Sequence, residues 1–140
     1  SHWARWHALT ALMHSTNGWW IMPEVMRIIC RSEELQERGS GIRFELPELG
    51  ERVTGFVVRY NGQPEAYVNR CAHVPVELDW NEGDFFDITQ DYLICATHGA
   101  HYQPETGYCV MGPCKGKHLQ KIAVLERDCN IIIELKQFEI

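Results

Sequence analysis

The chain has 140 residues, 45% of them hydrophobic, with 19 acidic against 13 basic side chains and a formal net charge of −6. A chain of this size makes one domain whose core needs no disulfides, and its acidic balance argues against nucleic acid while suiting a partner with a basic docking face. No apolar run is long enough to cross a bilayer, so the expected location is cytoplasmic and away from membranes, with the oligomeric state open.

Residues 1–21 stand apart in composition. They hold Trp3, Trp6, Trp19 and Trp20 with His2, His7 and His14, broken by Arg5 and the turn signal Ser15-Thr16-Asn17-Gly18. The order of basic start, apolar run and small-residue cleavage site that a signal peptide needs is missing. Met22-Pro23 reads as a natural start, so residues 1–21 read as an N-terminal extension, vector-encoded or read through. The alternative is an aromatic arm that docks on a partner or a second subunit.

The remainder reads as short strands. Residues 25–31 alternate weakly, and Ser32 can cap one helical turn. Residues 42–46 put Phe44 and Leu46 on one face before Pro47 ends the strand. Residues 53–60 and 65–69 flank Asn61-Gly62, a dipeptide whose positive φ angles make a tight hairpin. Residues 92–94 form a brief strand, Pro104-Glu105-Thr106-Gly107 reverses the chain, and residues 108–110 pair back. Residues 122–127 and 131–137 form a last hairpin about Asp128-Cys129-Asn130. Short strands, regular turns and almost no helix predict an all-β fold, an antiparallel sandwich or barrel.

Two boxes interrupt this pattern. Cys71-Ala72-His73 is followed after twenty-one residues by Cys95-Ala96-Thr97-His98, so each box offers one thiolate and one imidazole. Thiolates suit iron-sulfur clusters, copper(I) or zinc, and a neutral imidazole leaves the metal more electron-poor than a second thiolate would. A 2Fe-2S cluster held by such a set would change its charge by one on reduction, making a single electron its cargo. A Cys2His2 zinc site uses the same ligand types, and buried core cysteines beside chance histidines are the third reading.

Beyond the ligands, Leu78 follows the first box, while Gly99, Ala100, Tyr102, Thr106, Gly107 and Gly112-Pro113 follow the second. In these residues the chain, from about residue 25 to 140, resembles the Rieske iron-sulfur proteins, in which C-x-H and C-x-x-H boxes and a proline loop surround a 2Fe-2S cluster. The resemblance implies that Cys71, His73, Cys95 and His98 are the metal and cofactor ligands, with the second ring nitrogen of His73 and His98 open to solvent. It implies a single domain over residues 22–140, with a cluster-binding subdomain at about residues 70–115.

Tyr102 stands where high-potential members have a tyrosine that can donate to a ligand sulfur. Ala100 replaces their usual serine, the paired loop cysteines are missing, and Pro75 replaces a common glycine and so removes a backbone N–H. The potential is therefore expected in the lower half of the range of roughly −150 to +300 mV.

The implied function is a one-electron carrier, a Rieske-type ferredoxin passing electrons from a reductase to a terminal oxygenase or other acceptor, without catalysis of its own. No two-His-one-carboxylate set remains once the boxes are assigned. The alternatives are the small subunit of an assimilatory nitrite reductase and, in a different class, a zinc-stabilised interaction module.

Other residues read as packing or surface. The stretch between the boxes is longer than the family's usual loop, and Phe85 and Phe86 are expected to pin it to the core. Cys30 and Cys129 read as packing residues, and His101 and His118 as surface. Cys109 and Cys114 are either small buried residues or a local, redox-sensitive disulfide.

Overall fold

A computed structural model describes residues 8–14 and 20–136. Ten strands follow in chain order: β1 (Ala8–His14), β2 (Trp20–Arg31), β3 (Ile42–Glu45), β4 (Thr54–Tyr60), β5 (Gln63–Val68), β6 (Leu93–Ile94), β7 (His101–Tyr102), β8 (Cys109–Met111), β9 (Lys121–Arg127) and β10 (Asn130–Lys136). Seven of them form one sheet in the order β1-β2-β10-β9-β5-β4-β3, and β6-β7-β8 form a second. The pairings are antiparallel and the larger sheet curls into a nearly closed barrel, as the strand pattern predicted. Among the described residues, no helix is long and apolar enough to cross a membrane.

The segment expected as an extension contributes β1 and the start of β2. These pair from Ala8↔Arg27 to His14↔Trp20, with a register shift between Ala11 and Met13. The tryptophans and histidines at positions 2–7, and the turn at 15–18, lie outside the described residues.

Strand β4 explains how one sheet serves two cores. Side chains alternate across a strand: Phe56 and Val58 join one buried cluster with Tyr67, Leu78, Phe85, Leu93 and Tyr102. Val57, between them, joins the other, with Ile29, Leu46, Ala66, Val68, Ile131 and Ile133. Covered on both faces, residues 55–58 are buried in succession, which is why the sequence there is a continuous apolar run. The first core belongs to the small sheet and its loops, the second to the barrel.

The tight hairpin forms as expected: Tyr60 pairs with Gln63, and Asn61 and Gly62 take φ of 52° and 79°. Asp128 and Cys129, at 53° and 62°, make an equivalent turn between β9 and β10. Cys129 is consequently exposed at a turn tip, not packed. Phe85 and Phe86 do pin the long loop. Phe85 is fully buried and stacks on Phe56 with centroids 3.9 Å apart, and Phe86 lies 6.2 Å from the Tyr60 ring. Ser32 starts a short helical turn instead of capping it, Arg31 holding the cap position.

Two arginines close the barrel. Arg27, buried on β2, donates to the Glu45 carbonyl at 2.6 Å and pairs with Glu48, so it spans from β2 to the end of β3. Arg59 on β4 donates to the carbonyls of Leu35 at 2.7 Å and Ser32 at 3.1 Å, and grips both Glu126 oxygens on β9 at 3.0 and 2.8 Å. The Arg59 guanidinium holds the Glu126 carboxyl far below the ordinary range, at about 2.

A carboxyl whose pKa is depressed by folding adds stability above its unfolded value and loses it as pH falls through its folded value. Glu126→Gln should therefore cost about 1 kcal/mol at neutral pH, a figure reduced for partial solvent screening. Urea melts of both proteins should show that gap holding down to the unfolded carboxyl value of 4.5 and closing towards about 2.

Candidate metal centre

Both boxes sit where strands stop. Beyond β5 the Asn69 N–H bonds to the Thr54 carbonyl at 2.8 Å, and the Cys71 N–H reaches the Val76 carbonyl at 2.8 Å, closing a first loop. The second leaves β6 at Cys95 and returns to β7. In it the Gly99 N–H donates to the Cys95 carbonyl at 2.8 Å, and the Cys95 N–H to the Ala100 carbonyl at 2.9 Å. The Ala96 N–H donates to the Leu78 carbonyl at 3.0 Å, tying the two loops together. A third loop crosses at Gly112-Pro113. Gly112 has φ of 105°, and a Cβ there would stand 2.8 Å from the Ala100 Cα, so only glycine allows this approach.

These loops bring three of the four predicted ligands into one group. Donor atoms of Cys71, Cys95 and His98 lie within 4.8 Å of one another. His73 falls outside that group but meets His98 edge to face, with ring centroids 5.0 Å apart. Both cysteines are buried and both histidines exposed. The sulfurs face inward and the imidazoles face solvent.

Hydrogen-bond donors surround the sulfurs. Tyr102 Oη accepts the Ala72 N–H at 3.0 Å and lies 3.2 Å from Cys71 Sγ. Burial pushes the Cys71 thiol up, but the Tyr102 hydroxyl and the N–H groups of His73 and Val74 outweigh it, leaving Cys71 below the ordinary thiol range. Burial raises Cys95 despite the N–H groups of His98 and Thr97, and the adjacent Cys71 adds to the rise. The two thiols are thus pushed in opposite directions, as befits two like groups that share one pocket.

Two supports were not legible as motifs. Asn69 and Asp79, both buried, brace the first loop: Asn69 Nδ2 donates to Asp79 Oδ1 at 2.9 Å, and Asn69 Oδ1 accepts the Leu78 N–H at 2.9 Å. Asp79 Oδ2 accepts the Gly83 N–H at 3.0 Å. His101, expected at the surface, is only partly exposed. Its Nδ1 lies 2.8 Å from the Gly99 carbonyl and its Nε2 3.5 Å from Asp87, so it clips the long inter-box loop to the second box. His118 is exposed, as expected.

A family model for the Rieske [2Fe-2S] domain matches residues 26–138. No curated protein sequence matches the chain significantly. Among solved structures, the ferredoxin of carbazole 1,9a-dioxygenase from Nocardioides aromaticivorans IC177 superposes with a TM-score of 0.60 at 20% identity, over 76% of this chain and 93% of that one.

A complex of reduced oxygenase and oxidized ferredoxin in carbazole 1,9a-dioxygenase gives 0.63 at 21% identity, over 81% and 97%. The terminal oxygenase of carbazole 1,9a-dioxygenase from Novosphingobium sp. KA1 gives 0.65 at 21%, over 81% of this chain but only 30% of the oxygenase. At such identities the likeness is one of fold. The family match, however, takes in most of the chain and both Cys/His boxes, and the chain belongs to the Rieske [2Fe-2S] domain family.

Proposed function

We propose that this protein is a one-electron carrier of the Rieske ferredoxin type, working in the cytoplasm between a reductase and a terminal oxygenase or similar acceptor. The family's cofactor is a 2Fe-2S cluster, which supplies reversible one-electron chemistry when bound. The donor set fits it: Cys71 and Cys95 would hold one iron, and His73 and His98 the other. Two soft thiolates gathered on the buried side and two imidazoles on the exposed side match a cluster whose irons differ in ligand type.

The observation that carries the reading is this asymmetry of burial. Buried sulfurs beside Tyr102 keep water from the inner half of the site, and the exposed rings of His73 and His98 leave a partner direct access to the outer half. Electron transfer needs such close approach, whereas a structural zinc site gains nothing from exposed ligands.

Affinity purification of the native protein, followed by reduction assays on what co-purifies, tests the assignment of partners. The expected result is reduction by a co-purifying reductase and oxidation by an added terminal oxygenase, one electron per chain. Recovery of a nitrite reductase large subunit as the sole redox partner would contradict it.

A further inference from the structure

Cys109 and Cys114 lie outside the ligand set yet join directly to it. The turn between them is tightly held: the Cys109 N–H donates to the Lys117 carbonyl at 2.8 Å, the Lys117 N–H to the Cys114 carbonyl at 2.9 Å, and the Gly116 N–H to the Cys109 carbonyl at 3.2 Å. The two sulfurs stand 2.8 Å apart without a disulfide, both fully buried. Cys109 also donates to the Met111 carbonyl at 3.3 Å.

On the other side, Tyr102 Oη lies 3.2 Å from Cys114 Sγ and the same distance from Cys71 Sγ. With Cys114 donating to Cys109 and the Ala72 N–H donating to Tyr102, the single tyrosine proton faces two sulfur acceptors.

We propose that Cys109 and Cys114 form a reversible disulfide whose closure raises the reduction potential of the metal centre by leaving the Tyr102 hydroxyl to Cys71 alone. This rests on the reading of Cys71 as a cluster ligand.

The chemistry is thiol–disulfide exchange with a low-molecular-weight disulfide, R–S–S–R. Cys114 gives its proton to solvent and attacks one sulfur of R–S–S–R, releasing RS⁻ and forming a mixed disulfide. Cys109 then gives its proton to solvent and attacks the Cys114 sulfur, releasing the second RS⁻. Two electrons and two protons pass to R–S–S–R, which becomes two RSH, and the cluster is not oxidised. Burial, with Cys114 beside it, pushes the Cys109 thiol up to about 11, so it waits as a thiol until the mixed disulfide forms next to it.

The exposed neighbours Met111, Gly112, Pro113 and Lys115 make this the outer edge of the fold, where a small outward movement of the turn presents Cys114. A disulfide sulfur accepts a hydrogen bond more weakly than a thiol sulfur, so closure shifts the Tyr102 proton towards Cys71. There it stabilises the reduced centre.

The test incubates the cluster-bound protein anaerobically with cystamine, maps residues 109–114 by mass spectrometry and measures its equilibrium with a one-electron dye. The expected result is loss of two hydrogens within that peptide and an equilibrium constant for reduction that rises about two- to threefold, both reversed by dithiothreitol. Cys109→Ala should show no loss of two hydrogens, stopping at a dithiothreitol-reversible cystamine adduct on Cys114, and Cys114→Ala should have the raised constant without any oxidant.

An intact cluster with no disulfide, or a disulfide with an unchanged or lowered constant, would overturn the proposal. The iron and sulfide content of untreated protein reads the ligand assignment independently. If both are missing, it is that assignment that fails.

Discussion

Cys95→Ala should strip the protein of iron and acid-labile sulfide while leaving its β-sheet circular dichroism close to that of the parent. Cys95 is fully buried and its donor atom lies within 4.8 Å of those of Cys71 and His98, so no other side chain of the group can take its place. The packing loss is small by comparison. A thiol-sized deletion costs about 1 kcal/mol, and the surrounding core of Phe56, Tyr67, Phe85, Leu93 and Tyr102 remains.

Loss of metal with retention of the sheet separates a ligand from a packing residue. Full metal content in Cys95→Ala, measured by elemental analysis beside the visible spectrum, would remove Cys95 from the site.

The second large effect is expected from Tyr102→Phe, which should lower the reduction potential by about 40–50 mV. The hydroxyl lies 3.2 Å from Cys71 Sγ on a side chain that is fully buried and so fixed in place. Hydrogen bonds to charged groups are worth about 1.5–3 kcal/mol. This one exists in both oxidation states and strengthens as the sulfur gains charge, so about 1 kcal/mol separates the two states, where about 59 mV corresponds to a tenfold change for one electron. The substitution also leaves the Ala72 N–H without the acceptor it meets at 3.0 Å, which should lower thermal stability at the same time. Protein-film voltammetry of both proteins checks it; equal potentials would show that Tyr102 does not tune the centre.

How much of this could be read in advance depended on whether the physics was local. Asn61-Gly62 announced its hairpin because positive φ at two successive residues has few chemical solutions. The boxes were legible because metal binding demands particular donor atoms at short spacing. Phe85 and Phe86 were rightly taken as anchors, since a long loop needs apolar weight to stay down.

Asn69 and Asp79 were silent, because their bond joins positions ten apart and a lone Asn or Asp in a sequence usually means a solvated loop. His101 was silent too: its partner Asp87 lies fourteen residues earlier in the longer inter-box stretch, where no spacing rule applies. The Cys109–Cys114 contact was only half visible, as spacing allowed two thiols to meet but could not place Tyr102 beside them.

The central claim is that two buried thiolates and two exposed imidazoles hold a pair of sulfide-bridged irons that accept one electron. Iron and acid-labile sulfide analysis of protein isolated without air, with the electron paramagnetic resonance spectrum of the same sample after reduction, tests it most directly. About two irons and two sulfides per chain, with a spectrum of mixed sulfur and nitrogen ligation, are expected. Stoichiometric zinc with no labile sulfide would contradict it.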